Sequence, residues 1–233
     1  MNQTRKNLVI GLGSLLAIGL ATGAKGSTLQ FTSTVPSADI ATGFPQSFTL
    51  QKFDTSLGTL NSIDLFLTGK YAGTIKVFNS NTTDETLNNA NASIQMTLTG
   101  PGPVSLSVSP AVSVTGPANL PHGQTLSFLG GTGTATGSLS VPGADFSLYT
   151  YSGGPAQFGN YSVDVQNANA GGSGSNAGLF FSAAGTASGS ATVVYTYTQT
   201  VPPGTPEPGS VALLCGMGVT GMAFVYRRRR IKK

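Results

Sequence analysis

The sequence predicts an all-β chain: a single β-sandwich or jelly-roll-like domain flanked by an N-terminal signal peptide and a C-terminal transmembrane helix. Three observations predict it. The 233 residues include 29 Thr and 25 Ser but only 9% charged residues, so polarity comes from hydroxyls, and Thr with Val, Tyr and Phe favours half-buried strands. Short segments between the two ends alternate apolar and polar residues with period two. Gly and Pro signals separate those segments, and no long stretch between the ends keeps a helical period.

In chain order the first element is the signal. Arg5 and Lys6 precede an apolar run from Leu8 to Leu20, and Ala24-Lys25-Gly26 supplies small residues for cleavage after Gly26. This is the three-part layout of an export signal, removed as residues 1–26. The run is short for a span of the ~30 Å hydrocarbon core, which disfavours an uncleaved anchor. No cysteine follows it to accept a lipid.

Residues 27–200 form the predicted extracellular domain. Ile63, Leu65 and Leu67 alternate with Asp64, Phe66 and Thr68, and Ile75 and Val77 flank Lys76. Ile94, Met96 and Leu98 repeat the pattern, as do Val104, Leu106 and Val108, then Tyr161, Val163 and Val165. Residues 191–198 are the clearest strand. Turns are expected at Thr68-Gly69-Lys70, Gly100-Pro101-Gly102-Pro103, Thr115-Gly116-Pro117 and Gly153-Gly154-Pro155. Residues 171–176 read as a long hairpin loop, and the Gly/Thr run 130–137 as an edge strand or a loop.

Charge follows the same division. Nine of the twelve Lys and Arg lie in the end segments. In the domain Lys52, Lys70 and Lys76 face seven carboxylates, Asp39, Asp54, Asp64, Asp84, Glu85, Asp145 and Asp164, for a net −4. The basic pI of 9.3 therefore reports on targeting, and nucleic acid is excluded as a partner. The single cysteine, Cys215, lies in the C-terminal apolar run, so the domain is expected to stand without disulfides.

The tail has a specific order. A Pro-rich linker, 201–205, leads to Pro206-Glu207-Pro208-Gly209-Ser210, an uncharged helix expected over 211–226, and a basic tail 227–233 opened by Arg227, Arg228, Arg229 and Arg230. A helix of that length reaches ~24 Å, which snorkelling basic side chains extend towards a span. The Arg cluster stops transfer, and with Arg5 and Lys6 it places the domain outside the membrane. Hydropathy alone also admits a plain membrane anchor. The combined order, Pro206, Glu207 and Pro208, then a short apolar helix, then a terminal Arg cluster, resembles the PEP-CTERM sorting signal of bacteria that make extracellular polysaccharide. Thr205 stands where Val is commonest. The resemblance implies a substrate of exosortase, a membrane protease or transpeptidase, with Pro206, Glu207 and Pro208 as the recognition strip.

A second resemblance concerns the domain. Residues 47–60, Ser-Phe-Thr-Leu-Gln-Lys-Phe-Asp-Thr-Ser-Leu-Gly-Thr-Leu, and the ending at 191–198 look like the choice-of-anchor E domain. That family implies a β-rich exterior domain and no activity.

Catalytic chemistry is sparse. His122 is the only histidine, and a Ser-His-Asp triad would have to be built around Leu120-Pro121-His122-Gly123; a turn histidine is the better reading. Asn79, Asn81, Asp84 and Glu85 offer oxygens to calcium but lack the spacing of a known loop, so no metal or cofactor is expected. Asn81-Thr82-Thr83, Asn91-Ala92-Ser93 and Asn160-Tyr161-Ser162 match the N-glycosylation pattern, as chance predicts in such a composition.

Two function classes follow. The first is a non-enzymatic surface or matrix protein, held transiently in the inner membrane, processed by exosortase and associated with exopolysaccharide or biofilm. The second is a carbohydrate-binding module or a two-carboxylate glycoside hydrolase. Without Trp, an aromatic platform would fall to Tyr149, Tyr151 and Phe158.

Overall fold

The computed structural model describes residues 26–42, 44–166, 168–174 and 177–200. The expected signal peptide, the Pro206-Glu207-Pro208 strip, the helix over 211–226 and Arg227–Arg230 lie outside the described residues. Among the described residues no helix is long and apolar enough to cross a membrane.

The domain is all-β. Its strands are β1 (Gly26–Asp39), β2 (Phe44–Gln51), β3 (Phe53–Asp54), β4 (Gly58–Asn79), β5 (Glu85–Ser93), β6 (Met96–Thr99) and β7 (Ser105–Val108). They continue as β8 (Ala111–Leu120), β9 (Thr125–Ser140), β10 (Thr150–Tyr151), β11 (Phe158–Val165), β12 (Asn169–Gly174) and β13 (Leu179–Gln199). One antiparallel sheet has the order β1-β13-β4-β9, a second β2-β11-β6-β7 and a third β12-β5-β8. The short β10–β3 pair is parallel. The only described helical pieces are three 3₁₀ turns, the longest Gly143–Tyr149.

The long strands β4 and β13 pair from Asn79↔Leu179 to Gly58↔Gln199. On β4 the odd positions Ile63, Leu65, Leu67, Tyr71, Ile75 and Val77 are buried, as alternation requires. From β13, Ala187, Ala191, Val193 and Tyr195 join them. The second and third sheets supply Leu50, Met96, Leu98, Val163, Leu87, Val112 and Leu120, and all belong to one buried cluster. The arrangement is sandwich-like.

Three expected boundaries are corrected. Thr68-Gly69-Lys70 is no turn: β4 runs straight through it. Gly69 is present because a Cβ there would lie 2.8 Å from Met96 Sδ and 3.0 Å from Val108 Cγ2, so the bare backbone admits the second sheet. Thr115-Gly116-Pro117 lies inside β8, where the register with β5 shifts and Gly116 takes φ +114°; it is a bulge. The expected loop over 171–176 is largely strand β12. Its Gly172 gives passage to Asn89 O and the Phe181 ring, 2.3 and 2.5 Å from an added Cβ. By contrast, the 130–137 run does form an edge strand, within β9. The turns at 100–103 and 153–155 stand as expected.

A tyrosine knot closes the core where several strands meet. Tyr149 Oη donates to Pro101 O at 2.9 Å and Tyr195 Oη to Gln51 O at 3.1 Å. Tyr161 stacks on Phe48 with centroids 5.9 Å apart and meets Tyr149 edge-on at 6.4 Å. Phe53 tilts against Tyr195 at 5.7 Å. Each hydroxyl thus stays satisfied while its ring is buried.

Two outcomes follow. Gly133→Ala puts a Cβ 1.8 Å from Ala111 O, whereas nothing lies within 4 Å at Gly143. The first should cost about 2 kcal/mol or more through a forced backbone shift, and Gly143→Ala less than about 0.5 kcal/mol, measured by urea unfolding. The second outcome is alkaline unfolding. Burial, with Asp145 nearby, pushes Tyr149 up to about 12, and burial raises Tyr161 and Tyr195 as well. A folded pKa above the unfolded value of about 10 means that stabilisation is complete below pH 10 and declines as pH rises towards the folded values. Tyrosinate absorbance should therefore rise together with loss of the β circular dichroism signal above about pH 10.

Candidate functional site

The outer face of the four-stranded sheet is built by the even positions of β4. It carries Ser62, Asp64, Phe66, Thr68, Lys70, Ala72, Thr74, Lys76 and Phe78, none of them buried. Register aligns them into ranks across the strands. Thr34, Ser190, Thr68 and Thr136 form one hydroxyl rank, about 4.8 Å apart strand to strand. Thr32, Thr192, Phe66 and Ser138 form the next, in which the Thr32 and Thr192 Oγ1 atoms are 2.9 Å apart. Asp64, the carboxylate on this stretch of β4, accepts from Ser62 Oγ and Ser140 Oγ. Hydroxyl pairing across strands stiffens the surface and leaves an array of donors and acceptors facing solvent.

At one end of this face lies a depression of about 170 Å³, lined by Lys76, Phe78, Thr125, Phe180, Phe181 and Ser182. Phe78 and Phe180 are cross-strand partners with ring centroids 6.4 Å apart, and Phe180 is 62% exposed. A second depression, about 260 Å³, is lined by Lys52, Pro101, Leu148, Phe158, Gly159 and Asn160. Phe158 is 57% exposed there.

The sequence-derived candidates fall differently. Tyr149 is corrected as a platform residue: it is fully buried in the tyrosine knot, because its hydroxyl finds Pro101 O inside. Phe158 remains on the surface as expected, and Tyr151 is half-buried in β10.

The oxygens considered for calcium are committed to holding the chain. Asn79, fully buried, donates through Nδ2 to Thr83 O and Leu120 O, each at 2.9 Å, and its Oδ1 accepts from Asn81 N at 3.0 Å. Glu85, also buried, accepts from Asn81 Nδ2 at 3.1 Å and Thr83 Oγ1 at 3.3 Å. Asp84 turns away towards His122, accepting its backbone N–H at 3.1 Å, which holds that carboxyl below its usual range. The His122 ring nitrogen Nδ1 lies 3.6 Å from the same Asp84 oxygen, with both side chains more than half exposed. Among the described residues no three of His, Cys, Asp and Glu gather as metal ligands. Asp54 accepts from Ser56 N and Gly153 N, and Asp39 from Ala41 N, so these carboxylates fasten turns.

No family model and no curated protein matches the chain. Among solved structures, the T13 IBDV viral particle aligns over 92% of this chain and 51% of its own, at 12% identity and a TM-score of 0.18. Mud crab tombus-like virus aligns over 87% and 96%, at 12% identity and a TM-score of 0.21. The VP2 subviral particle of infectious bursal disease virus aligns over 85% and 46%, at 14% identity and 0.19. The chain thus spans about half the length of the bursal disease virus chains. Alignments at these scores establish neither a shared fold nor a shared role.

Sequence reasoning missed Lys76, Phe78 and Phe180 as a group. The signal was present in parity, since even spacing along β4 places Phe66, Lys70, Lys76 and Phe78 on one polar face. Pairing of Phe78 with Phe180 required the register.

Replacing Asn79 by Ala should leave Thr83 O and Leu120 O without their donor and cost about 3 kcal/mol. His122→Ala, at an exposed turn, should cost less than about 0.5 kcal/mol. Thermal or urea unfolding of the two variants checks the contrast.

Proposed function

We propose that this chain is an exported bacterial surface or extracellular-matrix protein, cut by exosortase at Pro206-Glu207-Pro208, whose β domain associates with exopolysaccharide without enzymatic activity. The observation that carries it is the tail: a Pro-Glu-Pro strip, a short apolar segment and Arg227, Arg228, Arg229 and Arg230 in that order. The strip reads as an extended, polyproline-like segment that an enzyme can grip while the helix and arginines hold it at membrane height. The helix is then discarded. Both ends place the domain on the outer side of the inner membrane, and the jelly-roll-like, choice-of-anchor E reading of that domain belongs to the same proposal.

The outer sheet face supports the polysaccharide part. Ranked hydroxyls match the donor and acceptor pattern of sugars, and exposed Phe rings offer apolar faces to sugar C–H surfaces. On this face Asp64 accepts from Ser62 Oγ and Ser140 Oγ, which adds a fixed acceptor to the hydroxyl array.

Intact mass of surface-fraction protein checks the processing. In cells with exosortase the mature chain should begin at Ser27 and lack residues 211–233. In cells without it, or after Pro206→Ala, Glu207→Ala and Pro208→Ala together, the tail should remain and the protein stay in the inner membrane. A tail retained in both backgrounds would mean a plain anchor.

A further inference from the structure

The domain has three lysines, and two of them line the two depressions described above. Lys76 stands in one with Phe78 and Phe180, and Lys52 in the other with Phe158. In each the lysine is accompanied by a phenylalanine more than half exposed, Phe180 or Phe158, and by an uncharged polar group, Ser182 or Asn160. No carboxylate lines either depression, although carboxylates outnumber lysines seven to three in the domain. Each depression therefore brings together the same three kinds of group: a cation, an exposed aromatic ring and an uncharged polar side chain.

The trio fits one ligand chemistry. A uronic acid residue offers an apolar C–H face, hydroxyls around the ring and one carboxylate at its edge. Phe can take the face, Ser or Asn a hydroxyl, and Lys the carboxylate. At about 170 and 260 Å³ the depressions fall below the ~300 Å³ where pockets for free small molecules begin, and suit single residues of a chain lying across the surface. Asp54 stands only two residues from Lys52, within about 7 Å along an extended chain, so the Lys52 depression is the weaker of the two for an anion, while exposed charges beyond about 8 Å are largely screened at physiological salt.

Resting on the polysaccharide reading above, we infer that the domain binds acidic, uronate-containing polysaccharide at two Lys–Phe depressions, Lys76/Phe180 and Lys52/Phe158, and so cross-links such chains. An exposed lysine–carboxylate contact strengthens binding by roughly fivefold at most, so each depression alone is weak. Two depressions on one rigid domain turn the second contact into an intramolecular one when a single chain spans both, and join two chains when it does not.

The test uses the full-length protein in detergent micelles with two probes of equal chain length, polygalacturonate and dextran. Wild type should bind polygalacturonate about tenfold or more tightly than dextran and scatter light as the polymer is cross-linked. The affinity should fall by about tenfold between roughly 0.05 and 0.5 M salt. K76Q/F180S and K52Q/F158S should each abolish the scattering while retaining weakened binding, and the four changes together should remove binding. All four positions lie in surface depressions, and unchanged circular dichroism and melting temperature verify the fold. The salt series on wild type needs no variant. Dextran bound as tightly as polygalacturonate, or binding indifferent to the fourfold change, overturns the acidic assignment and leaves the matrix reading standing. Binding to neither probe and to none of the host's own exopolysaccharide overturns both.

Discussion

Everything in this domain hangs on the ladder between β4 and β13. The two strands pair from Gly58↔Gln199 to Asn79↔Leu179, and both other strands of their sheet, β1 and β9, attach to this pair. Its inner face supplies Ile63, Leu65, Leu67, Val193 and Tyr195 to the core, and its outer face supplies Phe66, Lys70, Lys76, Phe78 and Phe180 to the surface. Because side chains alternate strictly, one slip of register would exchange the two faces. The hydrophobic cost of exposing the inner row fixes the register, and the register in turn sets Phe78 beside Phe180. Surface chemistry here is a by-product of core burial.

Much of this was legible in the sequence. Alternation at 63–67, 75–77, 104–108, 161–165 and 191–198 marks strand, and the structure places each stretch on or beside one with its alternate apolar row turned inward. Glycine was the weak letter in the alphabet. Gly69, Gly133 and Gly172 sit in extended strands because another part of the molecule presses against them, whereas Gly153 and Gly154 sit at positive φ in a turn. A sequence shows the same letter for both, and only the partner across the sandwich tells them apart. Tyr149 failed for a related reason: an aromatic with a hydroxyl can cap a surface or anchor a core, and Pro101 O, distant in sequence, decides which.

The polar loops illustrate a further limit. Asn79, Asn81, Asp84 and Glu85 look like a ligand set when read along the chain, yet hydrogen bonds to Thr83, Leu120, Ala177 and His122 occupy them in the fold. A buried carboxylate and a buried amide must find partners at once, so a cluster of oxygens is as useful for closing a loop as for holding an ion. The Lys–Phe depressions are the opposite case. Their members, Phe158 alone among the rings singled out by sequence, are scattered over β4, β11, β13 and the link from β2 to β3, and acquire a shared chemistry only when strand pairing assembles them.

One consequence of the topology is mechanical. Gly26 and Thr198 are register partners at the end of the β1–β13 ladder, so the domain's chain enters and leaves one strand apart. A load applied between those two points would open the ladder like a zipper, one pair at a time. A load between the Gln199 end and anything gripping Phe180 would instead run along β13 itself, whose extended backbone carries it covalently without pulling any pair of the β1 or β4 ladders apart. A domain tethered by its C-terminal end and held at the far end of that strand is therefore strained in its strong direction.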